Sequence, residues 1–217
     1  MGLVLFPAEP ESYLEIVRYT SSGSFFAPED GFFEIELHGA SGCGGEAKTS
    51  GEEGIPGGGG GGGGGCAVSR IKMKKDDRIS FVLGKATEES SASSVEYSGD
   101  SSAVIESSFD EYDSTLSVSG GANGYRTNGY LKGKGGEGGK ASGGNFLNKN
   151  GGNGKDGGTA DFNWESTALG GEGGTAGYSG GNPGGKGADN SLGSTNMNRG
   201  YGKDAFIVIR RGNNNVF

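Results

Sequence analysis

Apolar and polar residues alternate along several short segments of the chain, and this alternation predicts β-strands. Residues 13–19 (YLEIVRY) and 32–37 (FFEIEL) follow the two-residue period that is typical of a strand with one buried face. Similar alternation, or a short apolar run, predicts further strands over residues 67–73, 78–83, 102–106, 115–118 and 205–210. No segment of the sequence keeps a helical period over three turns. We therefore predict an all-β fold.

Turn-forming residues separate two pairs of these segments. The sequence APEDG at residues 27–31 lies between Phe25–Phe26 and the segment 32–37, and KKDD at residues 74–77 joins the next two predicted strands. Proline, aspartate and glycine in such positions are strong turn formers. The pattern predicts two β-hairpins, one around each turn.

The chain has 50 glycines among 217 residues, and nine of them form the uninterrupted run Gly57–Gly65. Glycine loses more conformational freedom on ordering than any other residue, and the run can offer a neighbour only its backbone N–H and C=O groups. An ordered run must therefore be surrounded by backbone that bonds to it. We predict that it forms the central rod of a bundle, about 28 Å long, and that Gly61→Val would disrupt this bundle; the alternative is a true linker that crystal or assembly contacts order. The predicted structural core comprises Gly57, Gly58, Gly59, Gly60, Gly61, Gly62, Gly63, Gly64 and Gly65.

Glycines elsewhere recur at every third position, within residues 133–139, 151–157, 171–180 and 181–187. Three residues per turn is the repeat of the polyproline-II helix, which has no internal hydrogen bonds. The repeat predicts short helices that each turn one glycine face towards a neighbour. Their other faces carry Lys, Glu, Thr or Tyr side chains.

Composition and charge limit the classes of partner. Hydrophobic residues make up 31% of the chain, so an apolar core can occupy only part of it. The net charge of -8 argues against nucleic acid, whose phosphates require a basic surface. The first ten residues (MGLVLFPAEP) lack the regions of a signal peptide, and no apolar run approaches the ~20 residues that cross a bilayer. We expect synthesis in a host cytoplasm, no nucleic-acid partner and no membrane insertion.

Few residues suggest catalysis or metal binding. Cys43 and Cys66 flank the glycine run; two buried thiols are the favoured interpretation, and a disulfide is the alternative. His38 ends a predicted strand and belongs to no recognisable catalytic motif. One acidic cluster lacks the spacing of a calcium loop and is interpreted as a solvated loop. Its members are Glu106, Asp110, Glu111 and Asp113. We predict no enzymatic activity, no cofactor and no metal.

Four stretches carry a resemblance to a known family: FFAPEDGFFEIELHGASGCGG, GIPGGGGGGGGGCAVSRIKMKKDDRISFVLG, SSAVIESSFDEYDSTLSVSGGANG and GYGKDAFIVIRRG. In this order, with glycine blocks between them, they resemble the glycine-rich domain superfamily over roughly residues 19–212. The resemblance implies a small jelly-roll-like β-sandwich with inserted polyglycine-II helices packed in a hexagonal lattice. It also implies a place among bacteriophage tail-fibre adhesins and related virion proteins, or among animal receptor tyrosine kinases that bind cytokines.

The receptor branch predicts a signal peptide, a membrane anchor and several disulfides, which this sequence lacks, so the virion branch is favoured. We expect residues 1–12 to form a docking segment, with an edge strand as the alternative. Residues 13–212 are expected to form a single module with glycine-rich inserts at 39–65 and 120–202. Residues 213–217 are expected to form a tail.

Recognition by such a module is expected at the loops between glycine segments, because loops carry side chains and vary freely. Aromatic rings among Asn, Asp and Glu suit sugars, and Trp164 is the leading candidate; the alternative is that these rings cap the bundle or contact a neighbouring subunit. The predicted receptor-binding residues are Tyr125, Tyr130, Phe146, Asn148, Phe162, Trp164 and Tyr201.

The function predicted from sequence is that of a phage or prophage virion protein, a tail-fibre or spike module that contacts the host surface. The expected partners are other virion or tail proteins and a host surface glycan or outer protein. Analogy with jelly-roll virion folds suggests a homotrimer. The alternatives are a purely structural virion or tail component and a cytokine-binding receptor module.

Overall fold

The computed structural model of the chain describes residues 13–48, 55–88, 95–109, 114–127, 131–160, 167–191, 195–196 and 198–212. These residues form β-strands and extended connections without any helix, so the predicted all-β class is confirmed. The strands are β1 (Tyr13–Tyr19), β2 (Gly23–Phe26), β3 (Gly31–His38), β4 (Ala47–Lys48), β5 (Ile55–Pro56), β6 (Cys66–Met73), β7 (Arg78–Val82), β8 (Ser101–Glu106), β9 (Ser114–Val118), β10 (Ala141–Ser142), β11 (Leu147–Lys149), β12 (Thr159–Ala160), β13 (Thr167–Ala168), β14 (Asn190–Ser191), β15 (Thr195–Asn196) and β16 (Phe206–Gly212).

Two five-stranded antiparallel sheets make up a β-sandwich-like unit. Sheet 1 has the order β1-β16-β3-β6-β11, and sheet 2 has the order β10-β9-β8-β7-β2. Alternate residues of each strand point into the space between the sheets, as the two-residue period predicts. The apolar core there includes Phe33, Ile35, Leu37, Ile71, Met73, Ile79, Phe81, Ile105, Leu116, Val118, Ile207 and Ile209.

The strands predicted from alternation are present with nearly the predicted bounds. The first and last of them pair with each other, since Ile16 of β1 lies opposite Arg210 of β16. β16 also pairs with β3, so this last strand lies between two strands from the first forty residues of the sequence.

The prediction of two hairpins is wrong. β2 pairs with β7 in sheet 2, whereas β3 and β6 belong to sheet 1, so both turns carry the chain from one sheet to the other. The two turns bond to each other: Ala27 N donates to Asp77 O (2.9 Å), and Asp76 N donates to Ala27 O (2.8 Å). Alternation and turn residues are the same for a hairpin and for a corner between sheets, so the sequence pattern does not distinguish them.

The run Gly57–Gly65, hereafter the rod, leads from β5 to β6, and all of it is buried. The N–H groups of residues 57–64 all donate to backbone carbonyls, and the C=O groups of residues 57–65 all accept from backbone N–H groups. The partners follow in steps of three. Gly57, Gly60 and Gly63 donate to residues 158, 155 and 152 and accept from residues 133, 136 and 139.

The remaining glycines of the rod, at positions 58, 61 and 64 and at positions 59, 62 and 65, bond to further segments whose partners also follow in steps of three. The rod is thus surrounded on all sides by backbone. The segments bonded to it are residues 39–45, 122–125, 133–139, 152–158, 171–177 and 182–188. We call the rod, these segments and the adjoining residues 84–88, 95–100 and 198–205 the bundle.

Glycine is required in the rod for lack of space, not for its freedom at positive φ. Among the described glycines, only Gly143 and Gly180 have positive φ. A Cβ atom added at Gly61 would lie 2.3 Å from the carbonyl oxygen of Gly42, and one at Gly62 would lie 1.8 Å from that of Glu137. Real Cβ atoms do not approach backbone this closely, so no side chain fits at these positions.

Six short strands lie at the end of the bundle away from the sandwich, where the rod begins. They pair as β12-β5, β13-β14 and β15-β4, and we call them the distal cap. Thr159 of β12 lies opposite Pro56, the residue just before the rod. The cap joins the bundle segments far from the apolar core.

Candidate functional site

The distal cap and the connections beside it form the first candidate site, because they carry side chains at one end of a scaffold that has few. Among the described residues, Leu131 and Leu169 are 70% and 63% exposed there. Leu169 is held in place through its carbonyl, which accepts a hydrogen bond from Gly158 N (2.8 Å). Apolar side chains that face solvent on bonded backbone are suited to contact with another molecule.

Of the residues predicted to bind a receptor, Tyr125 lies towards this end. Its carbonyl accepts from Gly59 N (3.1 Å) and its N–H donates to Lys134 O (2.9 Å), while the side chain is half-buried. Tyr130, Phe162 and Trp164 lie outside the described residues, and their role stays a prediction.

Phe146 and Asn148 lie at the opposite end, against sheet 1. The ring of Phe146 is 47% exposed, and the guanidinium carbon of Arg70 lies 3.6 Å from its centroid. The Asn148 amide accepts from Gly144 N (2.8 Å) and donates to Gly144 O (2.7 Å). Asn148 therefore holds the turn before β11, and its amide is occupied.

Tyr201 lies on the side of the bundle and is 71% exposed. Its neighbour Gly200 donates its N–H to Lys186 O. Ser41 N donates to Lys203 O and Lys203 N donates to the Ser41 hydroxyl, so the segment is fixed along its length. The described residues of the predicted receptor-binding set thus lie in three separate places. They do not form one site.

Polar side chains along residues 150–156 also have structural partners. Asn150, Asn153 and Asp156 accept hydrogen bonds from the N–H groups of residues 141, 138 and 135, at 3.0, 2.9 and 3.0 Å. The step of three on both segments matches the glycine period. The Gly135 N–H, more than any other group, holds the pKa of Asp156 below its usual value. These residues bind segments to each other rather than to a ligand.

A histidine, a glutamate and a cysteine meet on the outer side of sheet 1, where all three are buried. His38 Nε2 lies 3.3 Å from Glu36 Oε2 and 4.0 Å from Cys66 Sγ. A nucleophile–histidine–acid relay needs the acid and the nucleophile on different ring nitrogens, and here both face Nε2. Burial raises the pKa of the Cys66 thiol to about 12, which keeps it protonated. The cluster is therefore unsuited to nucleophilic catalysis.

Arginines compensate the buried acids on the same face. Arg70 Nε donates to Glu34 Oε2 at 2.7 Å, and Arg210 bonds to both Glu34 and Glu36. Burial acts to raise the pKa of Glu36, but His38 and Arg210 outweigh it, and the pKa is lowered. These contacts are typical of a buried ion network that fixes side chains in one arrangement.

The two cysteines are free and buried, as the favoured interpretation predicted. Gly42 N bonds to Gly62 O, so Cys43 lies beside the middle of the rod, whereas Cys66 follows its end. This offset of about four extended residues separates them by more than about 10 Å, too far for a disulfide. Burial also raises the pKa of Cys43.

Within the described ranges, no three His, Cys, Asp or Glu side chains are grouped as metal ligands. Of the acidic cluster, Glu106 is exposed at the end of β8, and Asp110, Glu111 and Asp113 lie outside the described residues. No helix among the described residues is long and apolar enough to cross a membrane.

The structure also contains a second candidate site, which the sequence did not predict. It is a groove of about 790 Å³ between the outer face of sheet 2 and the bundle. Its serines alternate with core residues along β8 and β9, so in sequence they indicate only a solvated strand face. The groove appears when strands and glycine segments distant in sequence meet. It is lined by Val82, Asp100, Ser101, Ser102, Ser117, Val118, Ser119, Lys140, Ala141, Ser142 and Asn150.

Comparison with known proteins finds no family model that matches this chain and no curated protein that is significantly similar to it.

Proposed function

We propose that the chain is a bacteriophage or prophage virion protein, a tail-fibre or spike module that contacts the host cell surface. The proposal rests on the resemblance described above and on one structural observation: the rod has no side chain to present, and the N–H groups of residues 57–64 and the C=O groups of residues 57–65 are bonded to backbone. Such a scaffold contributes stiffness and position, so specific contacts must come from the residues that it displays.

The fold that we propose in more detail is a jelly-roll-like sandwich with inserted polyglycine-II helices. Three observations support these helices: bonding in steps of three, six surrounding segments, and negative φ along the rod. A polyproline-II-type helix has φ near -75°, ψ near +145° and a rise of ~3.1 Å. A crystal structure with other backbone angles along the rod would refute this part of the proposal.

The test of function is adsorption. The full chain, labelled with a fluorophore, is incubated with a panel of bacterial strains that includes the strain whose genome encodes it. We expect saturable labelling of at least one strain and competition with phage attachment to that strain.

Trp164→Ala tests the leading candidate, and Phe26→Ala, which removes an exposed ring outside the predicted receptor-binding set, is its aromatic control. We expect the first variant to lose labelling and the second to keep it, with both melting temperatures close to that of the parent chain. Equal labelling by both variants would remove Trp164 from the site.

A purely structural role is the second candidate, and the occupied side chains favour it: Asn148, Asn150, Asn153 and Asp156 all have partners within the chain. Under this alternative the bundle is a stiff spacer or decoration of the particle. Absence of labelling on every strain, together with unchanged phage adsorption, would favour it over recognition.

A further inference from the structure

A row of hydroxyl groups crosses the outer face of sheet 2. Ser102 lies opposite Val82, Ser117 lies opposite Ser102, and Ser142 lies opposite Ser117. Adjacent strands are about 4.8 Å apart, so the three hydroxyls are evenly spaced at the bottom of the groove. Val82, at the end of the row, is 59% exposed and adds an apolar surface.

Opposite charges stand on the two sides of the groove. Asp100 lies two residues after Ser98, whose N–H donates to Gly121 O. On the other side, the backbone oxygen of Lys140 accepts from Ser119 N (2.8 Å). The segments that carry the two charges therefore lie on either side of the segment that begins at Ser119. Within the described part of the chain, the side chains of Asp100 and Lys140 have no ion pair or hydrogen bond. Both charges are therefore available to a ligand.

Other polar groups of the lining hold the groove in shape. Ser101 Oγ accepts from Gly84 N (2.9 Å), Ser119 Oγ accepts from Lys140 N (2.8 Å), and Asn150 Oδ1 accepts from Ala141 N (3.0 Å). These bonds join sheet 2 to the bundle on both sides. A preformed site loses little entropy when a ligand binds.

An exposed aromatic side chain lies on one of the segments that lead to the groove, outside the lining itself. Tyr97 is 52% exposed. Its hydroxyl donates to Glu137 Oε2 (3.3 Å) and so links the segment that carries Asp100 to the segment that carries Lys140. The position of its backbone is fixed by pairing with Ala122. Tyr97 and its partner Glu137 each precede a charged residue of the lining, Asp100 and Lys140, by three residues.

We propose that this groove binds a short, uncharged oligosaccharide. Sugar C–H faces pack on Val82 inside the groove, and a sugar unit that extends past the lining packs on Tyr97. Sugar hydroxyls bond to the row of serines, to the Asp100 carboxylate and to the Lys140 ammonium. Opposite charges in one site cancel, which favours a neutral ligand over an acidic one. The volume lies within the ~300 to 1,000 Å³ of small-ligand sites. The inference rests on the proposed function, because a host surface glycan is the source of such a ligand.

The experiment measures binding of the labelled full chain to a printed array of bacterial surface oligosaccharides, and, in parallel, to the strain panel. Ser117→Val and Asp100→Asn remove one hydroxyl and one charge from the groove. Thr115→Val and Glu106→Gln are the matched controls on the same face of sheet 2, outside the groove. Because these side chains are exposed or half-buried, all four variants are expected to fold.

We expect the parent chain to bind at least one neutral oligosaccharide, with about tenfold weaker binding for each groove variant and unchanged binding for the controls. Equal losses in groove and control variants would overturn the inference. Labelling of cells without binding to any oligosaccharide, and without an effect of the groove variants, would overturn it while leaving the proposed function intact. Oligosaccharide binding that depends on the groove, without labelling of any cell, would support the groove and refute the proposed function.

Discussion

The sandwich and the bundle hold the chain by different means. In the sandwich, side chains such as Ile35 and Leu116 are fully buried between two sheets, which pack about 10 Å apart to accommodate them. In the bundle, segments lie so close that a single added carbon at Gly60 would meet the carbonyl oxygen of Glu172 at 2.0 Å. The sandwich is stabilised by apolar burial and the bundle by backbone hydrogen bonds.

This difference indicates that the bundle depends on the sandwich. Ordering one residue costs roughly 1–2 kcal/mol of backbone entropy, most of all for glycine, and a backbone hydrogen bond returns a net ~0.5–1.5 kcal/mol. The rod therefore gains little by itself. It is anchored because β6 follows Gly65 directly, and because neighbouring segments begin where β3 and β9 end.

The largest effect is expected for Gly61→Ala, which tests whether the rod tolerates a side chain. The new Cβ would lie 2.3 Å from Gly42 O and 2.5 Å from Cys43 O. Overpacking usually costs ~1–3 kcal/mol where side chains can move aside; here the obstacle is bonded backbone, so we expect a loss above about 5 kcal/mol in the free energy of unfolding. Urea denaturation followed by tyrosine fluorescence measures it.

Gly23→Ala is the matched control for this substitution. A Cβ at Gly23 would lie 3.7 Å from the ring of Phe81, which is ordinary contact. We expect a change within about 1 kcal/mol. Similar stabilities for the Gly61 variant and the control would show that the bundle is not closely packed.

Leu116→Ala tests the sandwich by the opposite change, the removal of volume. Leu116 is fully buried in the core, and we expect a loss of about 2–5 kcal/mol. Because the bundle depends on the sandwich, thermal unfolding of this variant should remain a single transition at a lower temperature. A separate bundle transition at the parental temperature would contradict the dependence, and Ser117→Ala on the outer face should change stability by no more than about 0.5 kcal/mol.

The strands could be predicted from the sequence because apolar and polar residues alternate along them, and in β7 and β8 burial alternates with every residue in the same way. The sheet that each strand joins could not be predicted from the sequence. The corner at Asp77 is specified by bonds to Lys74 and to Ser108, some thirty residues further along the chain. Nothing in the local sequence distinguishes this corner from a hairpin.

The candidate site shows the same limit. The glycine period indicates which residues of a segment have no room for a side chain, but it does not identify the neighbouring segment, because every glycine offers the same two groups. The groove unites Val82, Asp100 and Ser117, which lie on different elements. Their proximity is a product of sheet register and of bundle packing together.

Asp77→Ala tests the corner between the two sheets, with an intermediate effect. The buried carboxylate accepts from Lys74 N (2.7 Å), Ser108 N (2.9 Å) and the Ser108 hydroxyl (2.6 Å). We expect a loss of about 1–3 kcal/mol in the free energy of unfolding, because these donors lose a charged acceptor. Asp76→Ala would test the positive φ at the neighbouring residue instead, and equal effects would point to the backbone rather than to the carboxylate.

The same carboxylate predicts a pH dependence. Burial acts to raise the pKa of Asp77, but the bonds from Ser108 and Lys74 outweigh it, and the pKa is lowered in the folded state. The unfolded chain then binds the proton more readily, so this contribution to stability is present above about pH 4 and is lost as pH falls through the lowered pKa. Denaturation between pH 7 and pH 2 should show a smaller acid loss in Asp77→Ala than in the parent chain.

The smallest effect is expected for Asp156→Ala, which tests a side chain bond inside the bundle. Asp156 accepts from Gly135 N at 3.0 Å and is half exposed, so water can replace the carboxylate as the acceptor. We expect a loss under about 1 kcal/mol in the free energy of unfolding. Asp156→Asn keeps an acceptor at the same place and should restore most of the loss at pH 7. If alanine proves as damaging here as at Gly61, the bundle is held by its polar side chains as much as by its backbone, and the contrast with the sandwich fails.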